Sequence, residues 1–301
     1  SQNQKGHPQV TGMEKFEEIV EEKSDGNISV RLFPGGTLGG DVQTISALQG
    51  GTLEMSVMNA GLLSGNVPDF VVVDFPFLFD SPEQAATVMD GPVGEALAAK
   101  LPEKGLVGLG YWELGFRDLT NNRLPVATAE DIAGLKIRTL QSPIYIDLFN
   151  ALGANAVPMP FPEVYTALET GAIDGQENPA PSILTAKLNE VQDYMTLTNH
   201  TYNPQIVMVS GKFWDQLNED EKKLLQEAAL EARDYQRQVS REQAGKAVEE
   251  LKAEGMEVNE LPPEEVAKRR EKAQPVTDKY AQEVDPALMQ QLQAEIAKVR
   301  G

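Results

Sequence analysis

The chain has 301 residues, 41% of them hydrophobic, and a formal net charge of -20. That length allows two domains or one large one with a true core, and no apolar run is long enough to span a bilayer as a helix. The acid excess argues against nucleic acid, which needs clustered Lys and Arg; the absence of Cys removes disulfides and thiolate chemistry, and His7 and His200 alone are too few for a His-based metal site.

Residues 1–5 are polar and show no leader pattern, so a mature or trimmed form is expected. His7 and Pro8 open a helix to about residue 23, with Met13, Phe16, Ile19 and Val20 as its buried stripe. Residues 28–32 alternate apolar with polar and read as a strand. The Gly-rich run 34–40 is turn chemistry, since its glycine spacing fits neither a phosphate loop nor a dinucleotide fingerprint. Residues 41–48 read as a helix with Asp41 as N-cap. Residues 53–58 read as a strand that leaves Asn59 at its C-terminal end. An Asn there is either a turn former or a ligand group with both donor and acceptor. The apolar run 70–79, broken by Asp74 and Pro76, reads as core strand and loop. Helices at 82–89 and 93–104 follow, then a Gly-containing strand at 106–114 that 116–120 continue. Residues 128–131 cap a short helix that leads to Gly134.

From Gly134 to Pro179 the only basic residues are Lys136 and Arg138. Leu135, Lys136, Ile137 and Arg138 alternate as a short strand does. Ser142 and Pro143 start a helix with Ile144, Leu148 and Leu152 inward. Residues 156–159 are a second short strand, and Pro162 opens another helix. Arg138 therefore falls at the C-terminal end of a strand, where open α/β sheets bind ligands. It either holds a carboxylate or pairs with Asp147 or Glu163. Beyond Pro179 a helix runs to about residue 188. Strands at 194–197 and 205–209 are joined by a connector suited to a hinge, with His200 hydrogen-bonded in it. Residues 219–254 read as one helix with Leu224, Ala228, Ala232, Tyr235 and Val239 as its seam. Its length is roughly 50 Å at 1.5 Å per residue, more than one small lobe. Residues 256–258 are a last strand. From Pro262 the chain is helical, with Val276, Tyr280, Leu288 and Leu292 as contacts.

Several ordered pieces stand out: Gly134-Leu135-Lys136-Ile137-Arg138, Gly153-Ala154-Asn155, Pro158-Met159-Pro160-Phe161, Glu163-Val164-Tyr165-Thr166-Ala167-Leu168 and Asp174-Gly175-Gln176-Glu177-Asn178-Pro179. Gly115-Phe116-Arg117, Thr120-Asn121, Glu190-Val191-Gln192 and Thr198-Asn199-His200 extend the set over nearly the whole chain. In order and spacing they resemble the solute-binding proteins of TRAP (tripartite ATP-independent periplasmic) transporters, in the dicarboxylate-binding family.

The resemblance implies a two-lobed α/β fold of the periplasmic-binding-protein kind. Each lobe would have a central sheet, with a cleft between the lobes and a long helix bracing both. The expected division gives residues 1–116 and about 205–244 to one lobe, and about 117–204 and 245–301 to the other. Arg138 would hold the ligand carboxylate in a bidentate contact, a geometry that guanidinium suits, and Asn178 would add a second hydrogen bond. Phe161 would pack on the ligand's carbon face. Arg117 matches a ligand-contacting arginine of relatives, the other option being an ion pair with Asp118 or Glu113. Gln141 lies within reach of a ligand hydroxyl. Asp41 is near a ligand-facing polar position, although capping alone would explain it, and Asn3 lies on a segment leading into the cleft.

The neutral polar groups favour a sugar acid, a uronate or aldonate, over a short dicarboxylate. The implied partners are that acid and a membrane permease. The chain would be a periplasmic monomer with no metal, no cofactor and no catalytic set. A ligand-presenting sensor and an enzyme are the remaining rivals.

Overall fold

Apolar residues at helical spacing, preceded by Pro or a capping side chain, set the helices. The computed structural model describes residues 1–300. The first helix is α1, Pro8–Lys23, capped by His7, whose Nδ1 accepts from the Gln9 amide at 3.0 Å. α2, Asp41–Gly50, leads to β1, Met55–Asn59. α3, Pro82–Met89, and α4, Pro92–Ala98, lead to the long strand β2, Leu106–Asn121. Next come β3, Lys136–Thr139, α5, Pro143–Ala151, β4, Asn155–Pro158, and α6, Val164–Glu169. β5, Gly175–Asn178, and α7, Ala180–Thr185, precede the second long strand, β6, Tyr194–Ser210. The chain closes with α8, Gly211–Trp214, α9, Glu219–Ala253, β7, Glu257–Glu260, α10, Pro263–Ala281, and α11, Pro286–Arg300.

The two lobes share a mixed sheet of order β1-β6-β2-β5-β3-β4, with β7 also on β6. β2 and β6 run antiparallel along most of their length and form its spine. In the first lobe β1 pairs with the end of β6, Met55 opposite Val209. In the second, β5 pairs with the end of β2, Asp118 opposite Asn178, and β3, β4 and β7 add parallel. Register shifts between Glu113 and Gly115 and between Arg117 and Leu119 mark the crossover. Bulges there bend and twist a spine that continues through both lobes.

Long helices brace the lobes. The first half of α9 packs Leu225, Ala228 and Ala232 with Phe16, Val57 and Trp112. Its second half packs Ala247 and Leu251 with Val164, Leu168, Ile183 and Met195. The seam differs from the expected one: Tyr235 is exposed, and the inward position passes to Gln236. Gln236 exchanges hydrogen bonds with the Glu113 backbone, which an apolar side chain cannot do. α11 packs on α3 and α4. We therefore propose that residues 286–300 belong with the first lobe rather than with the second.

Several local expectations are corrected. Residues 68–74 form a 3-10 turn, not a strand, and bury Phe70 and Val72 without a ladder. The predicted connector at 199–204 is part of β6, because Thr201, Tyr202 and Asn203 pair with Arg117, Phe116 and Gly115. Residues 128–131 make no helix; the Asp131 carboxylate instead accepts from the amides of Ala127 and Thr128. Gly40, not Asp41, is the N-cap of α2, which frees the Asp41 carboxylate from capping. Residues 28–32 show the expected alternation of burial but pair with no strand.

Candidate functional site

β3 lies between β4 and β5, with Arg138 opposite Val157 on one side and Gln176 on the other. Ile137 turns to the core, so alternation sends Arg138 the other way, into the space between the lobes. The side chain is 1% exposed. Its Nε and Nη2 both donate to the Met159 carbonyl, at 3.0 and 2.7 Å, while Nη1 has no partner. Phe161 places its ring 5.8 Å from the guanidinium carbon. Neither Asp147 nor Glu163 pairs with it: Asp147 meets Lys279 at 2.6 Å, and Arg138 forms no ion pair among the described residues. Burial pulls its pKa down to about 10, so it stays charged at neutral pH. A desolvated guanidinium with one unpaired nitrogen is suited to a carboxylate, and charge-assisted bonds are the strong ones.

The cavity at Arg138 receives side chains from both lobes. Gln2, Asn3, Gln9, Asp41 and Asn59 line it from the first lobe, with Gln205 from β6, and Arg138, Phe161 and Asn178 from the second. Four of these carry buried polar atoms with no hydrogen-bond partner: Arg138 Nη1, Asn59 Oδ1, Gln205 Oε1 and Gln2 Oε1. Buried polar atoms are almost always paired, so four orphans around one cavity need an explanation. Asn178 donates to Gln176 Oε1 at 2.6 Å, and Asn3 donates to Gln9 Oε1 at 2.8 Å. As it stands the cavity offers about 30 Å³ of space, small for an organic acid. Burial raises the pKa of Asp41 to about 6, against the pull of the Arg138 charge.

Of the residues predicted from sequence, Arg138, Asn178, Phe161, Asn59, Asp41 and Asn3 converge here. Two do not. Arg117 is fully buried and pairs with Glu177, rather than with Asp118 or Glu113. Its Nη2 reaches Glu177 Oε1 at 2.8 Å and its Nη1 reaches Asn203 Oδ1 at 2.8 Å. His200 closes this network at the crossover, 3.1 Å from Glu177 and 2.8 Å from Thr198. Gln141 is exposed and outside the cavity lining. Gln9 and Gln205 are lining residues that sequence reasoning passed over. Gln205 had a signal, a polar residue opening the apolar run 206–209; its place opposite Asn59 came only with the sheet register. Gln9, in the first turn of an amphipathic helix, had none.

Comparison with known proteins places this architecture. The family model for bacterial extracellular solute-binding protein, family 7, matches residues 1–283. The 2,3-diketo-L-gulonate-binding periplasmic protein of Escherichia coli is 42% identical over 244 residues, covering 81% of this chain and 74% of that one. A TRAP periplasmic solute-binding protein of Ochrobactrum anthropi, solved with its C-terminus bound in its ligand-binding pocket, is 63% identical. It has a TM-score of 0.88, with 99% and 93% of the two chains covered. The sugar acid binding protein of Advenella mimigardefordensis, in complex with galactonate, is 40% identical with a TM-score of 0.96, covering 98% and 96%. Among the described residues no helix is long and apolar enough to cross a membrane. The chain belongs to bacterial extracellular solute-binding protein family 7, the periplasmic, non-catalytic solute-binding proteins of TRAP transporters.

Proposed function

We propose that this protein captures a sugar acid, a uronate or aldonate, by its carboxylate and delivers it to a TRAP membrane permease. The observation that carries this reading is the set of unpartnered polar atoms around Arg138. Arg138 Nη1, with Asn178 beside it, receives the carboxylate. Asn59, Gln205 and Gln2 meet hydroxyls, which both donate and accept. Phe161 covers the carbon face. Entry parts the lobes. The ligand then favours the closed arrangement because only there do side chains of both lobes reach it.

A short dicarboxylate is the second reading, supported by the C4-dicarboxylate-binding periplasmic protein of Rhodobacter capsulatus among the relatives. Against it stands Asp41, a carboxylate in the same cavity that repels a second anionic group. Relatives solved with β-D-galacturonate and with D-glucuronate, and the galactonate complex, favour the first.

The test is a thermal-shift panel of organic acids on the native protein and on Arg138→Ala. A ligand that binds only the folded state adds about 2.7 kcal/mol of stability at a hundredfold excess over Kd. Shifts with aldonates or uronates that vanish in the variant support the reading. Shifts confined to short dicarboxylates overturn the ligand class, and shifts that survive in Arg138→Ala overturn the role of the arginine.

A further inference from the structure

His7, at the N-cap of α1, is 1% exposed. It belongs to a closed ring of four buried residues, His7, Ser182 of α7, Asn3 and Gln9, each hydrogen-bonded to the next. Asn3 and Gln9 also line the ligand cavity, whereas His7 and Ser182 stand behind them.

Two backbone groups that cannot turn over fix how every member of the ring points. The Gln9 backbone N–H donates to His7 Nδ1 at 3.0 Å, so Nδ1 is the bare nitrogen. Burial pulls the His7 pKa down to about 3, so the imidazole is neutral and carries its one proton on Nε2. Nε2 therefore donates to Ser182 Oγ, 3.0 Å away. The Ser182 hydroxyl accepts there and sends its own hydrogen to Asn3 Oδ1 at 3.4 Å. The other end of the Asn3 amide is then Nδ2, which donates to Gln9 Oε1 at 2.8 Å. Gln9 Nε2 in turn donates to the Val57 carbonyl at 3.0 Å, the second fixed backbone group. The two ends of a side-chain amide have the same shape, so their partners alone decide which is which. Reversing one member would set donor against donor or acceptor against acceptor at a buried place, which is costly.

We propose that His7 and Ser182 are positioning residues that lock the Asn3 amide so that it offers an N–H, not a carbonyl oxygen, to the bound acid. The inference rests on the reading of the cavity as an organic-acid site. An NH2 group has two hydrogens; Gln9 takes one from Asn3 and leaves the other for a ligand oxygen. The cavity already holds three unpartnered acceptors, Asn59 Oδ1, Gln205 Oε1 and Gln2 Oε1. A reversed Asn3 would add an acceptor to these and withdraw a donor. The ring therefore balances the wall for hydroxyl-bearing ligands, whose oxygens accept from Asn3 and whose hydrogens go to the unpartnered oxygens.

The first test needs no ligand. With two histidines in the chain, long-range proton–nitrogen correlation at pH 7 reads the His7 ring, and its loss in His7→Asn assigns the signal. The expected result is a neutral ring protonated at Nε2, and Asn3 side-chain amide signals that shift in Ser182→Ala. The second test is calorimetric titration with D-galactonate. His7→Asn keeps the helix cap, because Asn is among the best N-caps. It and Ser182→Ala should each weaken binding about tenfold, the worth of one well-aimed hydrogen bond. In an Asn3→Ala background neither should weaken it further, because both act through Asn3. A merely structural role would multiply its loss with that of Asn3→Ala.

A His7 ring protonated at Nδ1, or charged at pH 7, overturns the proposal. So does native affinity in both His7→Asn and Ser182→Ala, and so do losses that multiply with that of Asn3→Ala. Failure of the carboxylate reading looks different. There Arg138→Ala binds D-galactonate as the native protein does, while the His7 tautomer and the losses in His7→Asn and Ser182→Ala stay as expected and support the positioning role.

Discussion

The guanidinium of Arg138 commits two nitrogens to one carbonyl and leaves the third facing the cavity. Removing one partner of a buried charged contact typically costs 2–5 kcal/mol of binding, so Arg138→Met should weaken sugar-acid binding by at least about thirtyfold. The unliganded variant should melt close to the native protein, because relief of the buried charge offsets the lost bonds to Met159 and the lost attraction to Asp41. Calorimetric titration and scanning check both, and a variant that melts lower with affinity intact would contradict the assignment.

Asp41 acts in the opposite sense. Its pKa is raised to about 6 by burial, so the folded state holds the proton more tightly than the unfolded chain. Its contribution to stability is full below the ordinary Asp range and is lost as pH rises through about 6. Asp41→Asn should therefore gain about 1–2 kcal/mol on the native protein between pH 4 and 7. It should also raise affinity for a C4-dicarboxylate relative to an aldonate, on the order of tenfold. Denaturant titrations at several pH values test the first, and competition binding tests the second.

At the scale of elements, the paired long strands and α9 carry the two-lobed design. Arg117, Glu177, His200 and Asn203 are buried where β2 and β6 pass between lobes. Breaking a buried ion pair from one side costs about 3–5 kcal/mol, and Glu177→Gln should do so in urea titration. A loss under about 1 kcal/mol would show that the pair is dispensable. Leu251→Ala, in the second-lobe half of α9, should cost about 2–5 kcal/mol of stability. It should leave the ligand affinity of folded protein unchanged, because Leu251 packs with Leu168 and Ile183, not at the cavity.

The elements were unequally legible. α9 showed in its length and apolar seam, and β3 in the alternation around Arg138. The union of 194–197 and 205–209 into β6 did not show, because Asn199, His200, Asn203 and Pro204 are loop-forming residues by local propensity. Asn203 and Pro204 stay in the strand because β2 supplies ladder partners and Arg117 and Asp74 bond Asn203, while the Asn199 amide is held by the Asp118 carboxylate. Asp41 looked like a cap because its type suits one, but Gly40 takes that place in the chain.

For the molecule as a whole, the net charge of -20 opposes an anionic ligand. Association should therefore quicken as salt screens the repulsion, by about two- to fivefold between 0.01 and 0.3 M NaCl. Stopped-flow binding would show it; slowing with salt would mean that the local field of the Arg138 cleft dominates.

The sequence by itself determined the class, the family likeness and the arginine at a strand end. These follow from periodicity and ordered motifs, which are local properties of the chain. It also offered a sugar acid ahead of a dicarboxylate through neutral polar residues near that arginine. Only the tertiary structure decided which polar groups face the cavity and which are consumed elsewhere. Arg117 and Arg138 lie 21 positions apart, both at strand positions between the lobes. One meets Glu177 from the neighbouring strand and is neutralised; the other meets a carbonyl and keeps a free nitrogen. That difference depends on register between strands distant in sequence, which composition and spacing do not encode.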